Sequence, residues 1–296
     1  MCRNIWIYVK LMIKGVIFLK IEIKDIVSKK ILTEVKGYLD VGFTHSLNPY
    51  SGCAFGCNYC YVREMPVQTY KDIPWGEWVS IKTNAAELYR NEVIKLRKKN
   101  KPIKLFFSSA TDPYQPIERK AGITRSILEE MIAHPPDFLQ LQTRGPLVTR
   151  DIDLLLQLQK KCEVLVSMTI ETDSEKVKQI FAPKAPGIKL RLKALKEVHD
   201  AGIATQASIS PVLPFSPNFP QLLKGVVDHI WIDTLSIGDG AFGKRSEKLG
   251  MPKLFEENGL TKWYRKDLHV MVEKHFKNHF PHDMVRVSKD EGFPNK

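Results

Sequence analysis

Short apolar runs recur along the chain at the spacing of a repeated strand-and-helix unit. Phe43 to Leu47, Lys104-Leu-Phe-Phe-Ser-Ser, Phe138 to Thr143, Glu163 to Ile170, Ile203 to Ser210 and His229 to Leu235 each have the length and β-branched or aromatic content of a strand. Between them lie stretches with apolar positions three and four apart. Thr83 to Lys99 is the clearest, with Ala86, Leu88, Tyr89, Val93 and Leu96 on one face. Thr124 to His134, closed by Pro135-Pro136, Arg150 to Lys161, Ser174 to Phe181, Ile188 to Asp200 and Gln221 to Val227 follow the same rule. Strands alternating with helices predict an α/β fold with a parallel sheet and outer helices. Six such units do not close as eight do, so the expected form is a partial (β/α)6 barrel of the TIM type.

The two ends read differently. Residues 1–40 form an N-terminal extension of strand-like runs, among them Val16 to Lys24, with Met12 an alternative start. Its apolar residues are interrupted by Arg3, Lys10, Lys14 and Lys20, so no run approaches the roughly 20 residues of a membrane span. No small-residue cleavage site follows them either, which argues against a secretory signal. The barrel is expected over residues 41–240, and residues 241–296 read as a basic extension with a helix over Thr261 to Asn278. Composition changes this picture in one respect. The net charge of +12 favours an anionic partner such as DNA or RNA. The densest basic patch, Lys95 to Lys101, reads first as the solvated end of a helix. His275 and His279 share a helix face but have no acidic partner at metalloprotease spacing, so they read as part of a basic helix end.

The chemistry concentrates in Asn48-Pro-Tyr-Ser-Gly-Cys-Ala-Phe-Gly-Cys-Asn-Tyr-Cys-Tyr61, at the C-terminal end of the first strand. Loops after parallel strands build active sites in barrels of this kind. Cys53, Cys57 and Cys60 are spaced C-x3-C-x2-C, and Gly52 and Gly56 allow the tight bends that turn thiolates toward one centre. Three thiolates can hold three irons of a [4Fe–4S] cluster and leave the fourth open. A structural zinc site is the alternative, although it usually takes four protein ligands. Cys2 and Cys162 show no paired spacing, so the chain is not a disulfide framework. An oxygen-sensitive cluster would need a reducing, cytoplasmic setting.

With Tyr59 before Cys60 the motif becomes C-x3-C-x-aromatic-C, and the chain resembles the radical S-adenosylmethionine (radical SAM) enzymes. The wider run NPYSGCAFGCNYCYVR, with TDPYQPIE and LQTRGPLVTRDIDLL downstream, resembles the branch related to spore photoproduct lyase, often described as DNA repair photolyase-like. The resemblance implies S-adenosylmethionine on the open iron and its reductive cleavage to a 5′-deoxyadenosyl radical, which abstracts hydrogen from a substrate. It also implies an electron donor such as flavodoxin or ferredoxin, and a nucleic acid or nucleobase-containing substrate. By position it assigns Arg144 to the cofactor carboxylate, which a guanidinium can grip bidentately. Ser167 and Thr169 fall in the ribose-contacting segment, with Glu171 at the strand end. Tyr59 would pack near the adenine, and Ser210 with Pro211 would line its pocket. Asp112 would first shape the loop Ser108 to Pro116 and second place it over the substrate, with Tyr114 and Gln115 presented there.

The chain departs from spore photoproduct lyase in one place. That enzyme returns a hydrogen atom from a loop cysteine, whereas Ser108-Ser109-Ala110-Thr111-Asp112 has none, and Cys162 precedes the fourth strand at the opposite end of the barrel. Spore photoproduct lyase activity by that route is therefore not expected. Two other functions fit parts of the sequence. One is modification of a peptide or small molecule by the same radical. The other is a non-catalytic metal-binding nucleic-acid module, which would bind metal without cleaving S-adenosylmethionine.

Overall fold

Strand alternation sorts side chains into two sets, and the computed structural model, which describes residues 4–9, 19–40 and 42–288, packs those sets on opposite faces of one sheet. The strands are β1 (Asn4–Val9), β2 (Leu19–Ile26), β3 (Leu32–Glu34), β4 (His45–Leu47), β5 (Tyr50–Ser51), β6 (Trp78–Lys82), β7 (Lys104–Phe107), β8 (Phe138–Thr143), β9 (Glu163–Thr169), β10 (Ala204–Ile209), β11 (His229–Ile232) and β12 (Val285–Val287). The larger sheet runs β12-β11-β10-β9-β8-β7-β4-β3. It is parallel from β4 to β12, and β3 lies antiparallel on β4. All the expected strands are present in this order, which gives the partial barrel predicted from the alternation. A seventh parallel strand, β12, was not expected. It lies in the segment read as a basic helical extension and pairs Ile230 with Val285.

On the outer face, Leu105, Phe107, Leu139, Leu141, Val166, Met168, Ala207 and Ile209 pack in one core with Tyr89, Ile127, Leu155 and Leu195 from the covering helices. Those helices include Ala85–Arg97, Ile123–Ala133, Ile152–Leu158 and Ile188–Asp200. The other parity points into the barrel. Phe43, Phe138, Leu165 and Trp231 close its floor, with Phe106 packed against them. Above that layer come Gln140, Thr169 and Ser208, buried and polar.

A second sheet, β1-β2-β6-β5, stands beside the barrel. The strand expected from Val16 begins at Leu19, and residues 16–18 lie outside the described ones. β6 was not expected, and it forms one wall of the cysteine loop. A Cβ on Gly52 would sit 2.4 Å from the Trp78 carbonyl oxygen, so only glycine fits there.

Helix boundaries moved where side chains found other partners. The helix expected from Thr83 starts at Ala85, because Asn84 is tied across the chain: its Oδ1 accepts from Ser28 N and its Nδ2 donates to Ser28 O. Ser174 does cap its helix, accepting from Val177 N. The helix expected over Gln221–Val227 spans Phe219–Leu223. The one expected over Thr261–Asn278 is a short turn at Thr261–Trp263 followed by a helix at Leu268–Lys277. Lys95, Arg97, Lys98 and Lys99 are exposed at a helix end. Among the described residues no helix is long and apolar enough to cross a membrane.

Candidate active site at the mouth of the barrel

The cysteine loop leaves β5 and turns through Gly52 (φ +79°) and Gly56 (φ +51°). Successive turns, Gly56 N to Cys53 O and Cys60 N to Cys57 O, bring Cys53, Cys57 and Cys60 onto the wall of one cavity. All three are free thiols; Cys53 and Cys57 are buried and Cys60 is half-buried. The loop after β7 grips them from behind. Thr111 Oγ1 donates to Gly52 O (2.6 Å), and Gln115 Oε1 accepts from Ala54 N (2.9 Å).

Burial pushes all three thiols up, Cys60 to about 12, with Arg144 opposing the rise at Cys57. Neutral at pH 7 on their own, they would become thiolates only with further positive charge at the site, which a bound metal group supplies. Among the described residues no three His, Cys, Asp or Glu side chains are placed to hold a single metal ion. The thiols line a wall without being drawn round one ion. A donor set of three thiols, without histidine or carboxylate, fits an iron–sulfur cluster with one iron left for a non-protein ligand.

Arg144 connects this loop to β8 and β9. Its NH1 donates to Tyr59 Oη (2.7 Å) and Cys57 Sγ (2.9 Å). It also lies 3.9 Å from Glu171 Oε1. Behind it, Arg191 NH1 binds Glu171 Oε2 (2.5 Å) and the Thr169 carbonyl oxygen (2.7 Å). Burial raises the Glu171 pKa, but Arg191 and Arg144 outweigh it and hold the carboxyl below its ordinary value. Burial also raises the Tyr59 pKa, so the phenol keeps its proton and can donate to Glu171 Oε1 (3.3 Å).

The cavity in front of the thiols has a volume of about 540 Å³, ample for a small-molecule site. Tyr59, Arg144, Thr169, Ser210, Pro211 and Asp112, expected from the sequence to hold the cofactor or shape the substrate loop, line it. Four expected contacts do not. Ser167 is fully buried one layer lower, its hydroxyl accepting from Gln206 Nε2 (2.8 Å), so Thr169 is the residue of that pair at the cavity. Glu171 stands behind Arg144, its carboxylate taken up by Arg191. Tyr114 turns inward, its hydroxyl donating to Asp151 Oδ2 (3.1 Å), and Gln115 is spent on the cysteine loop. Asp112 reaches the cavity, yet its carboxylate accepts from Thr143 Oγ1, Arg144 N and Tyr114 N, the loop-shaping role.

Other cavity residues were missed. Ser108 holds a left-handed backbone (φ +81°), and its buried Oγ has no hydrogen-bond partner. Gln140 Oε1 is likewise buried and unpartnered. Gln142 Nε2 donates to Thr169 Oγ1 (2.9 Å). A usable signal existed in Phe138-Leu-Gln-Leu-Gln-Thr143: two glutamines at period two in an otherwise apolar strand mark a polar inner face. A larger hollow of about 920 Å³ opens at the opposite end of the barrel, around Asp137, Cys162 and Gly202. It holds Cys162, as expected, far from the cysteine loop. His275 stacks on Phe215, and His279 pairs with Gln221, so the histidine pair is a packing feature.

A partial barrel of parallel strands, with a three-thiol loop at their C-terminal ends and a cavity in front of it, defines the radical SAM class of protein. Residues 47–218 match the family model of the Radical SAM superfamily, and the chain belongs to that superfamily. An uncharacterized protein of Methanocaldococcus jannaschii is 35% identical over 195 residues, 66% of this chain and 69% of that one. An uncharacterized protein of Acidianus two-tailed virus is 32% identical over 215 residues, 70% of this chain and 68% of that one. Among solved structures, spore photoproduct lyase complexed with dinucleoside spore photoproduct is similar in fold: TM-score 0.62, 14% identity, covering 90% of this chain and 81% of that chain. Superfamily membership makes the chain an enzyme of the radical SAM class and implies a [4Fe–4S] cluster and S-adenosylmethionine.

Proposed function

We propose that Cys53, Cys57 and Cys60 hold the [4Fe–4S] cluster and that the enzyme abstracts hydrogen from a nucleic acid or other nucleobase-containing substrate. The carrying observation is the single cavity that joins the three free thiols to Arg144 and to a polar inner wall. When bound, the cluster and S-adenosylmethionine supply a 5′-deoxyadenosyl radical, formed with one electron from a flavodoxin- or ferredoxin-class donor. The chain's own residues orient and enclose. Arg144 is the cation beside the thiols and would meet the cofactor carboxylate. Thr169 offers a hydroxyl to its ribose, and Tyr59 covers its adenine, with Ser210 and Pro211 lining the adenine pocket. The substrate reading is supported by the net charge of +12 and by the fold shared with spore photoproduct lyase. The loop Ser108 to Asp112 carries no thiol, so hydrogen return from a loop cysteine is not part of this reading. An oxygen-sensitive cluster fits a reducing cytoplasm.

The test is anaerobic reconstitution with iron and sulfide, followed by dithionite and S-adenosylmethionine. The expected product is 5′-deoxyadenosine, carrying deuterium when a deuterated oligonucleotide is the substrate. Tightly bound zinc with no 5′-deoxyadenosine would overturn the radical reading. Deuterium arriving only from a peptide would overturn the nucleobase reading.

A further inference from the structure

Three residues lining the cavity carry a buried polar atom that the protein leaves unsatisfied: Trp75 on the side of the cysteine loop, and Gln140 and Ser108 on the inner wall. Gln140 is 1% exposed and Ser108 4%, and neither Gln140 Oε1 nor Ser108 Oγ has a hydrogen-bond partner. A buried acceptor without a donor costs about 1–3 kcal/mol, and one that faces a cavity can recover that cost from a group bound there. Both residues line the cavity. Gln140 lies on β8 and Ser108 directly follows the adjacent parallel strand β7, with Gln140 in register with Phe106, two residues before Ser108. The same cavity is flanked by Phe106 and Trp231. Flat apolar groups beside an unpaired acceptor and a hydroxyl suit one shape: a planar ring whose edge sets an N–H next to an acceptor.

We infer that Gln140, assisted by Ser108, is a specificity-determining residue that reads the hydrogen-bonding edge of a nucleobase lying in the cavity. The carboxamide oxygen accepts the ring or amino N–H, and the Ser108 hydroxyl donates to the neighbouring ring acceptor or carbonyl. The inference rests on the nucleobase-type substrate proposed above. A peptide amide also offers an N–H, but it has no ring to fill the space beside Phe106 and Trp231.

The test is equilibrium binding to the full chain, without turnover. The probes are the 5′-monophosphates of thymidine, deoxycytidine, deoxyadenosine and deoxyguanosine, with forms methylated on the edge nitrogen, and a dipeptide amide as comparison. At least one base is expected to bind, and methylation of its N–H to weaken binding at least about tenfold in the unaltered protein. Gln140→Leu should shrink that penalty to about threefold or less, whereas Gln140→Glu, which keeps an acceptor, should preserve it. Ser108→Ala should weaken binding of the unmethylated base about threefold or more, and it carries the test if Gln140→Leu does not fold. The inference is overturned if no base binds, if the dipeptide amide binds better, or if the methylated and unmethylated forms bind the unaltered protein equally. Because binding is read apart from 5′-deoxyadenosine formation, loss of that product sinks the radical reading, and loss of base discrimination sinks this one.

Discussion

Glu171 is fully buried between two guanidinium groups, those of Arg191 and Arg144. Removing one member of such a pair leaves a charge in low dielectric, which costs about 3–5 kcal/mol. Glu171→Gln is therefore expected to lower stability by about that much in denaturant unfolding, because Arg191 loses its counter-ion. The pH dependence has a definite sign. The folded carboxyl sits below its ordinary value of 4.5, so its contribution is present above that value and is lost as pH falls through the lowered one. The unaltered protein should lose stability on that acid limb, and Glu171→Gln should flatten it; an unchanged limb would assign the acid sensitivity to other groups. At this scale the sequence was legible where local spacing narrows what a side chain can do. The three cysteines and the loop-shaping Asp112 are of that kind. It was illegible where depth decides: Ser167 and Thr169 share a face, and only the Gln206 hydrogen bond reveals that Ser167 lies below the cavity. Tyr114 and Gln115 turned inward for a similar reason, since Asp151 and the cysteine loop offered them buried partners.

Elements with their own periodicity could be read, and elements defined by a neighbour could not. β7 to β11 each carry strand-length apolar runs, and the outer helices repeat at three and four. β12 has only Val-Arg-Val, too short for a period, and forms because β11 offers an open edge. β6, Trp-Val-Ser-Ile-Lys, was hidden between the cysteine loop and a strong helix, yet it packs directly on the candidate site. Gly52 binds the two together. Its φ of +79° disfavours any side chain, and a Cβ would press on the Trp78 backbone. Gly52→Ala should displace β6 from the loop, lowering stability by more than about 1 kcal/mol and cutting the iron and sulfide retained after reconstitution severalfold. Full loading with unchanged melting would mean that the loop can re-form without this contact. Gly225→Ala, also at positive φ but with open space around its Cβ and far from the thiols, separates backbone strain from loss of the wall.

Across the whole molecule Lys and Arg outnumber Asp and Glu, 45 to 33. A net charge of +12 attracts any polyanion, so binding alone would say little about the site. What distinguishes a substrate strand is that its phosphates pass along the cavity. Lys36 is exposed and lines the cavity from the stretch between β3 and β4, on the side of the floor residues. For a single-stranded oligonucleotide, affinity should fall linearly with the logarithm of salt concentration, at a slope of about −0.7 per phosphate neutralised. Lys36→Gln should reduce that slope by about one contact's worth, weakening every sequence to a similar degree. The exposed lysines at the end of the helix Ala85–Arg97 supply the control: if Lys98→Gln lowers the slope as much as Lys36→Gln, the strand is held by general charge and not along the cavity. A slope insensitive to Lys36 would remove this side of the cavity from the binding path. A slope near zero would count against a nucleic acid altogether and return the cavity to a small molecule carrying the same ring.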